Sequence, residues 1–396
     1  MSSATLLRRS LRFRVLAVFV FAALVLYRLC FYPSSTPAWL PLPGQQPSDA
    51  DVYRTNATLG FGAIYVVSAN NSPRRHGLLQ AANVTELEFT IPTQPKWPEA
   101  TLARHPKLGK GSLMAWLGHL HTLRQFIASG AETALVLEDD VDWDIHLRSL
   151  QAPLVATAVR ALLSPDLHST ADLFPTPEAA AQRYPYGSPA HWDLLYLGHC
   201  GDFFHGMDRG FDEGHVHPSD LEQQQHISFN DSSLPDPDNL HPWTASLLRN
   251  LGVPPRTRLV HRSVFPLCTF AYAVTRSSAR RMVEDLVSLE EEAHTAYDVA
   301  ILIACRDKGL KCYTVNPELF HHVPGKSMIG GVDNNTHLPP VDAMAQKQVE
   351  LRNETPNIGC GFWKGGFAFP DGDDRQLEYL RSEVGRKGNC LKKKGR

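Results

Sequence analysis

Residues 134–144 read ALVLEDDVDWD, an aliphatic run that passes straight into Glu138, Asp139, Asp140, Asp142 and Asp144. Carboxylates this close repel one another, so the fold must bring counter-charge to them. In open α/β sheets, ligands bind beyond the carboxyl ends of the strands, where such a cluster would stand. In extended backbone, Glu138 and Asp140 project to one side and Asp139 to the other. Two hard oxygen donors on one side suit Mg2+ or Mn2+, which in turn bridges a diphosphate. A cation there would stabilise charge developing on a leaving nucleoside diphosphate. The same spacing also fits an acidic helix start, with Asp142 or Asp144 opening a helix through IHLRSL. Spacing alone leaves both readings open.

Other clusters are weaker. His199, Cys200, His205, His215 and His217 fall close together in GHCGDFFHGMDRGFDEGHVH, but neither C-x-x-C nor H-E-x-x-H spacing is present, which argues against zinc. PDGDDRQLEYL resembles the start of a calcium loop, but its glycine comes too early, and a solvated turn fits better. The basic end RKGNCLKKKGR reads as a solvated tail.

The elements that must position the acidic cluster are readable from periodicity. FGAIYVVSA is a short β-branched run suited to a buried strand, and Ser72 and Pro73 then offer a helix start. ELEFTI is a second strand candidate. Over residues 112–129, Leu113, Trp116, Leu117, Leu120, Leu123, Phe126 and Ile127 recur at helical spacing, and Gly130 closes the helix. TALVLED, WDLLYLG, CTFAYAVT and KCYTV follow as strands, with helices over 277–286 and 296–306. This alternation predicts α/β layering with a largely parallel sheet. Residues 164–190 and 206–256 read as surface insertions, and the Gly-rich stretch from about 353 has no clear place.

The chain has 396 residues, 43% hydrophobic and 20% charged, with formal net charge −2, enough for a substantial core. The near-neutral balance gives no support for nucleic-acid binding. Arg8, Arg9, Arg12 and Arg14 precede an apolar run that, over 15–32, would span about 27 Å as a helix. That matches a bilayer, and the basic flank predicts a cytoplasmic N-terminus with the body translocated. A cleaved signal peptide is the competing reading. Glycosylation sequons stand at Asn56, Asn70, Asn83, Asn230, Asn334 and Asn353. With Cys30 in the apolar run, six cysteines remain: Cys200, Cys268, Cys305, Cys312, Cys360 and Cys390. Six permit 15 pairings, of which Cys305 with Cys312 is favoured by nearness; buried free thiols are the alternative.

The sequence resembles fungal members of glycosyltransferase family 25, which includes lipopolysaccharide sugar transferases and collagen galactosyltransferases. The resemblance lies in GFGAIYVVS…RR, GSLMAWLGHLHTLRQFI, ALVLEDDVDWDI, HWDLLYLGHCG, CTFAYAVTRSSARRM, YDVAIL and VNPELFHH, in that order over roughly residues 60–330. It implies a GT-A-like, Rossmann-type sheet flanked by helices, here preceded by a single transmembrane helix. It also implies an inverting transfer of a hexose, galactose or glucose, from a UDP-sugar to a hydroxyl of a glycan or glycoprotein. On matching positions, Glu138 and Asp140 would hold Mn2+ or Mg2+, with His322, in the dipeptide His321–His322, as third ligand. Asp139, Arg75, Ser112 and His119 would face the donor, although Arg75 also fits a helix surface and His119 a satisfied core histidine. Asp298 would be the general base, or else the cap of the helix that follows it. The chain departs from the family at Leu113, Trp116 and Gly118, and at Ser327–Met328, where relatives carry Ser-Asp. That departure raises the alternative of a catalytically silent, glycan-binding or scaffolding protein; a metal-dependent hydrolase is a further rival. The expected layout is a cytoplasmic tail at 1–14, an anchor at 15–32, a Pro/Ser-rich stem at 33–58, a GT-A-like domain at 59–345 and a C-terminal extension at 346–396. The expected address is the Golgi or endoplasmic-reticulum membrane, single-pass type II, with the body lumenal.

Overall fold

A computed structural model describes residues 55–105, 108–163, 181–202, 204, 216–289, 296–323 and 352–392. The segment 15–32, most of the stem, His205, His215, Ser327–Met328 and Asn334 lie outside them. Among the described residues no helix is long and apolar enough to cross a membrane.

In chain order the elements are β1 (Ile64–Val67), α1 (Arg75–Thr85), α2 (Glu99–Ala103), α3 (Lys110–Ser129), β2 (Thr133–Glu138), β3 (Val141–Trp143), α4 (Ala152–Leu163), β4 (Leu194–Gly198), β5 (Gly201–Asp202), α5 (Pro218–Glu222), β6 (His226–Asn230), α6 (Pro242–Asn250), β7 (Thr257–Arg262), β8 (Pro266–Leu267), β9 (Ala271–Thr275), α7 (Arg276–Arg281), α8 (Tyr297–Arg306), β10 (Cys312–Asn316), β11 (Phe320–His322) and α9 (Asp374–Leu380). Seven strands form one sheet in the order β1-β2-β9-β4-β10-β7-β6. β1 runs parallel to β2 and β4 parallel to β10, while β9 and β7 run against both of their neighbours. The sheet is therefore mixed, which corrects the largely parallel expectation. β9 follows a surface excursion rather than a crossover helix, so it can insert antiparallel between β2 and β4.

Strand parity sorts the side chains into two cores. Val136, Tyr196, Tyr272 and Val274 meet Trp116, Leu120 and Leu123 of α3 and Ala300 and Ile301 of α8. On the other face Leu135, Leu137, Leu195, Leu197 and Ala273 meet Leu78 and Ala81 of α1 and Val155 and Val159 of α4. Both faces are covered, which explains why these strands read as continuous apolar runs.

Several expectations shift. ELEFTI contributes a single bridge, Thr90 beside Tyr65, and not a strand. The first helix begins at Arg75, because Ser72 and Pro73 form a turn before it; the Ser72 hydroxyl accepts from the Arg74 N–H at 3.3 Å. The long helix begins at Lys110, two residues earlier than periodicity places it. The stretch 206–256 includes an ordered edge strand, β6, and helix α6. The described part of the basic end, 386–392, is not a free tail: Arg386 pairs with Glu86 and Glu378, and Lys392 with Glu354. Cys305 joins Cys312 as expected, Cys200 joins Cys268 and Cys360 joins Cys390.

Candidate functional site

The strand β2 ends at Glu138, and a turn at 139–140 separates it from β3. Alternation stops there, so the expected pairing of Glu138 with Asp140 on one side is not what forms. Glu138 keeps the parity of Val136 and points to the α3–α8 face. Its carboxylate accepts from the Thr269 hydroxyl at 2.9 Å and stands 3.4 Å from Nε2 of His119. His119 is buried, stacked on Tyr297, and its Nδ1 lies 3.2 Å from the Tyr272 hydroxyl, itself 2.8 Å from that of Tyr297. Burial pushes both phenols far up, so the two tyrosines stay neutral. His119 thus occupies the satisfied-core role, and Glu138, 28% exposed, is the chain's outer end.

The turn brings Asp139 and Asp140 together instead. Asp139 Oδ2 accepts from the Ser68 hydroxyl at 2.6 Å, just past the end of β1. Arg74 lies between the two carboxylates, 2.6 Å from Asp140 Oδ2 and 3.7 Å from Asp139 Oδ1. Nε2 of His322, arriving on β11, is 3.1 Å from the same Asp140 oxygen. β11 reaches that position because it pairs with β3, opposite Val141. Arg74 and His322 are the counter-charge that the acidic run requires. Burial alone would raise the Asp140 pKa, but His322 and Arg74 outweigh it and hold the carboxyl below its ordinary value. Burial alone would lower His322; its hydrogen bond to Asp140 and the charges of Asp140 and Glu138 prevail and raise it. Arg75 turns back, donating to the Ser68 hydroxyl and to the Ala69 carbonyl at 2.8 Å. Ser112 is half-buried in the first turn of α3.

Oδ1 of Asp140 is buried without a hydrogen-bond partner. Beside it stand a second carboxylate and an imidazole, hard donors with one borderline nitrogen, a set that suits Mn2+. Among the described residues no three His, Cys, Asp or Glu side chains gather closely enough to hold an ion alone. Ions of this class commonly complete their shell with water and substrate phosphate, so the residues fit a substrate-completed site.

Asp298 opens α8, and its carboxylate accepts from the Cys268 N–H at 3.1 Å. Burial pushes its pKa up against that backbone donor and those of Val299 and Asp298 itself. It anchors Cys268, a non-glycine residue at φ 64° that is also tied to Cys200. The helix cap expected as the alternative is not its role either, because the N-cap is Ala296 and Asp298 lies within the first turn.

Asp142 and Asp144 belong to a different construction. Both are buried. Asp142 accepts from the N–H groups of Trp143, Phe362 and Trp363 and from the Thr355 hydroxyl. Asp144 accepts from Gly359 and Cys360 and from His146. The Gly-rich stretch GCGFW is their partner: a Cβ on Gly361 would sit 2.2 Å from Asp142 Oδ2. Sequence reading missed this pairing, and the signal that could have found it is the spacing of glycines beside an otherwise unplaced segment.

No family model matches the chain, and no curated protein matches it significantly.

Proposed function

We propose that the protein is a metal-dependent, GT-A-like hexosyltransferase that moves galactose or glucose from a UDP-sugar to a hydroxyl of a glycan or glycoprotein. The observation that carries this reading is the meeting of Asp140 and His322 beyond the end of β2, with one Asp140 oxygen buried and unpartnered and Asp139 next to it in the same turn. Asp140 and His322, with Asp139, would hold Mn2+ or Mg2+, which supplies positive charge to the diphosphate. Ser68, Arg74 and Arg75 line the β1 side of this place, and Arg74 is the residue suited to phosphate once it leaves the carboxylates. In an inverting transfer the acceptor oxygen attacks the anomeric carbon. The carbon–oxygen bond to the diphosphate breaks with its electron pair on UDP, and a base takes the hydroxyl proton. Asp298 remains the base expected from resemblance; Glu138 competes with it, because its carboxylate is part-exposed while that of Asp298 is held by backbone N–H groups. Three disulfides and exposed asparagines at five sequons (Asn56, Asn70, Asn83, Asn230 and Asn353) support a lumenal, type II placement in the Golgi or endoplasmic reticulum.

The test is a donor screen: the full chain in detergent with Mn2+ and a panel of UDP-sugars releases UDP if the reading is right. A second reading, a silent glycan-binding or scaffolding protein, is favoured by the Arg74 bridge, which neutralises the acidic pair without an ion. No UDP release and no Mn2+-dependent UDP binding would decide for it. Protection from heat unfolding by UDP only with Mn2+ would separate the transferase from a metal-dependent hydrolase, which needs no nucleotide.

A further inference from the structure

The two strands that present Asp140 and His322 form a short ribbon, β3 with β11, outside the main sheet. Three residue pairs hold it together, with one more hydrogen bond from the Val323 N–H to the Asp140 carbonyl at 2.7 Å. A ribbon this small does not hold its own geometry in water. Both of its strands are gripped by one loop, residues 354–363. On the β3 side, Asp142 takes Phe362 N–H at 2.7 Å and Thr355 hydroxyl at 2.7 Å, Asp144 takes Cys360 N–H at 2.7 Å, and Ile145 donates to the Cys360 carbonyl at 3.0 Å. On the β11 side, the Asn357 amide donates to Glu318 Oε1 at 2.7 Å, and the same oxygen binds Nδ1 of His321, the neighbour of His322. Asn357 is itself buried and fixed by the His241 N–H, at 2.7 Å, and the Thr244 hydroxyl. The loop is closed on its outer side by the Cys360–Cys390 disulfide and by Lys392 on Glu354, which also receives the Gly361 N–H.

We infer that loop 354–363, locked by Cys360–Cys390, is a positioning part of the site: it sets the distance between Asp140 and His322 by gripping both strands of the ribbon. Asp142 and Asn357 are the positioning residues. The chemistry served rests on the transferase reading, but the mechanical coupling does not.

Hydrogen exchange on the full chain, with neither donor nor metal, tests the coupling directly. In a Cys360→Ser/Cys390→Ser variant, amides of 139–146 and 318–323 should exchange about tenfold faster or more, while β2, β4 and β9 keep their protection. Acceleration confined to 352–392 would overturn the inference. Should that variant lose protection throughout, Asn357→Ala decides: faster exchange at 318–323 supports the coupling, and unchanged exchange there refutes it. A functional readout accompanies this. The Mn2+ concentration that half-saturates UDP binding should rise about tenfold in Asn357→Ala, because a loosened ligand pair pays ordering entropy on binding. If the wild-type chain binds no UDP, the transferase reading fails alone and exchange still judges the coupling; if it binds and the half-saturating Mn2+ is unchanged, the positioning role fails alone.

Discussion

The acidic run divides into halves that share chemistry and differ in everything around them. Glu138, Asp139 and Asp140 stand half-buried at a strand end, among side-chain partners: a threonine, a serine, an arginine and two histidines. Asp142 and Asp144 are buried, and most of their partners are backbone N–H groups, four of them from the C-terminal segment. Fixed dipoles that satisfy every lone pair make a carboxylate structural. Side-chain partners, by contrast, can turn away from a carboxylate, as exchange with a ligand requires. A string of carboxylates can thus be held in two different ways within seven residues, the first half as the proposed site and the second as a rivet.

The comparison breaks most visibly at Asp142. Asp142→Ala strands several buried donors, so it should cost about 3–5 kcal/mol in denaturant unfolding. Asp140→Ala should cost less, about 1–3 kcal/mol of stability, yet reduce Mn2+-dependent UDP release by about 100-fold or more. If the two substitutions exchange these effects, the division is wrong. Gly361→Ala forces a methyl against the Asp142 carboxylate and should cost about 1–3 kcal/mol, whereas Gly372→Ala, with open space at a left-handed turn, should cost about 1 kcal/mol.

The smallest effect is a pH dependence of the rivet's surroundings. Burial first, then the charge of His321, lowers His241 to about 4; Glu318 is lowered to about 2, because His321 outweighs the cost of its burial. In both, the unfolded chain binds a proton that the folded one does not, so stability falls as pH falls. His241 loses its contribution between the ordinary histidine range and pH 4, and Glu318 between its ordinary range and pH 2. Unfolding midpoints measured from pH 7 to pH 3 should decline continuously, and Asn357→Ala should flatten the lower part of that decline.

Much of the frame was legible. β1, β2, β4, β10, α3 and α8 fall where apolar periodicity places them, because both sheet faces are covered and leave uninterrupted runs. His322 stands within hydrogen-bond distance of Asp140. β6, β7 and β11 were not legible: their sequences HISFN, TRLVHR and FHH carry charged or imidazole side chains that interrupt the apolar pattern of a buried strand. Arg258, fully buried within β7, is tolerable only because Asp231 and the carbonyls of Pro317 and Glu318 receive it.

By itself the sequence determined that a buried strand ends in a block of negative charge, since period and composition are local properties. It also favoured, by nearness alone, the Cys305–Cys312 pair that forms. Only tertiary structure decided which carboxylates face cations and which face backbone. That choice turns on a two-residue turn after Glu138 and on a glycine-rich loop more than two hundred positions away, and hydrogen-bond satisfaction at that range leaves no periodic trace in the chain.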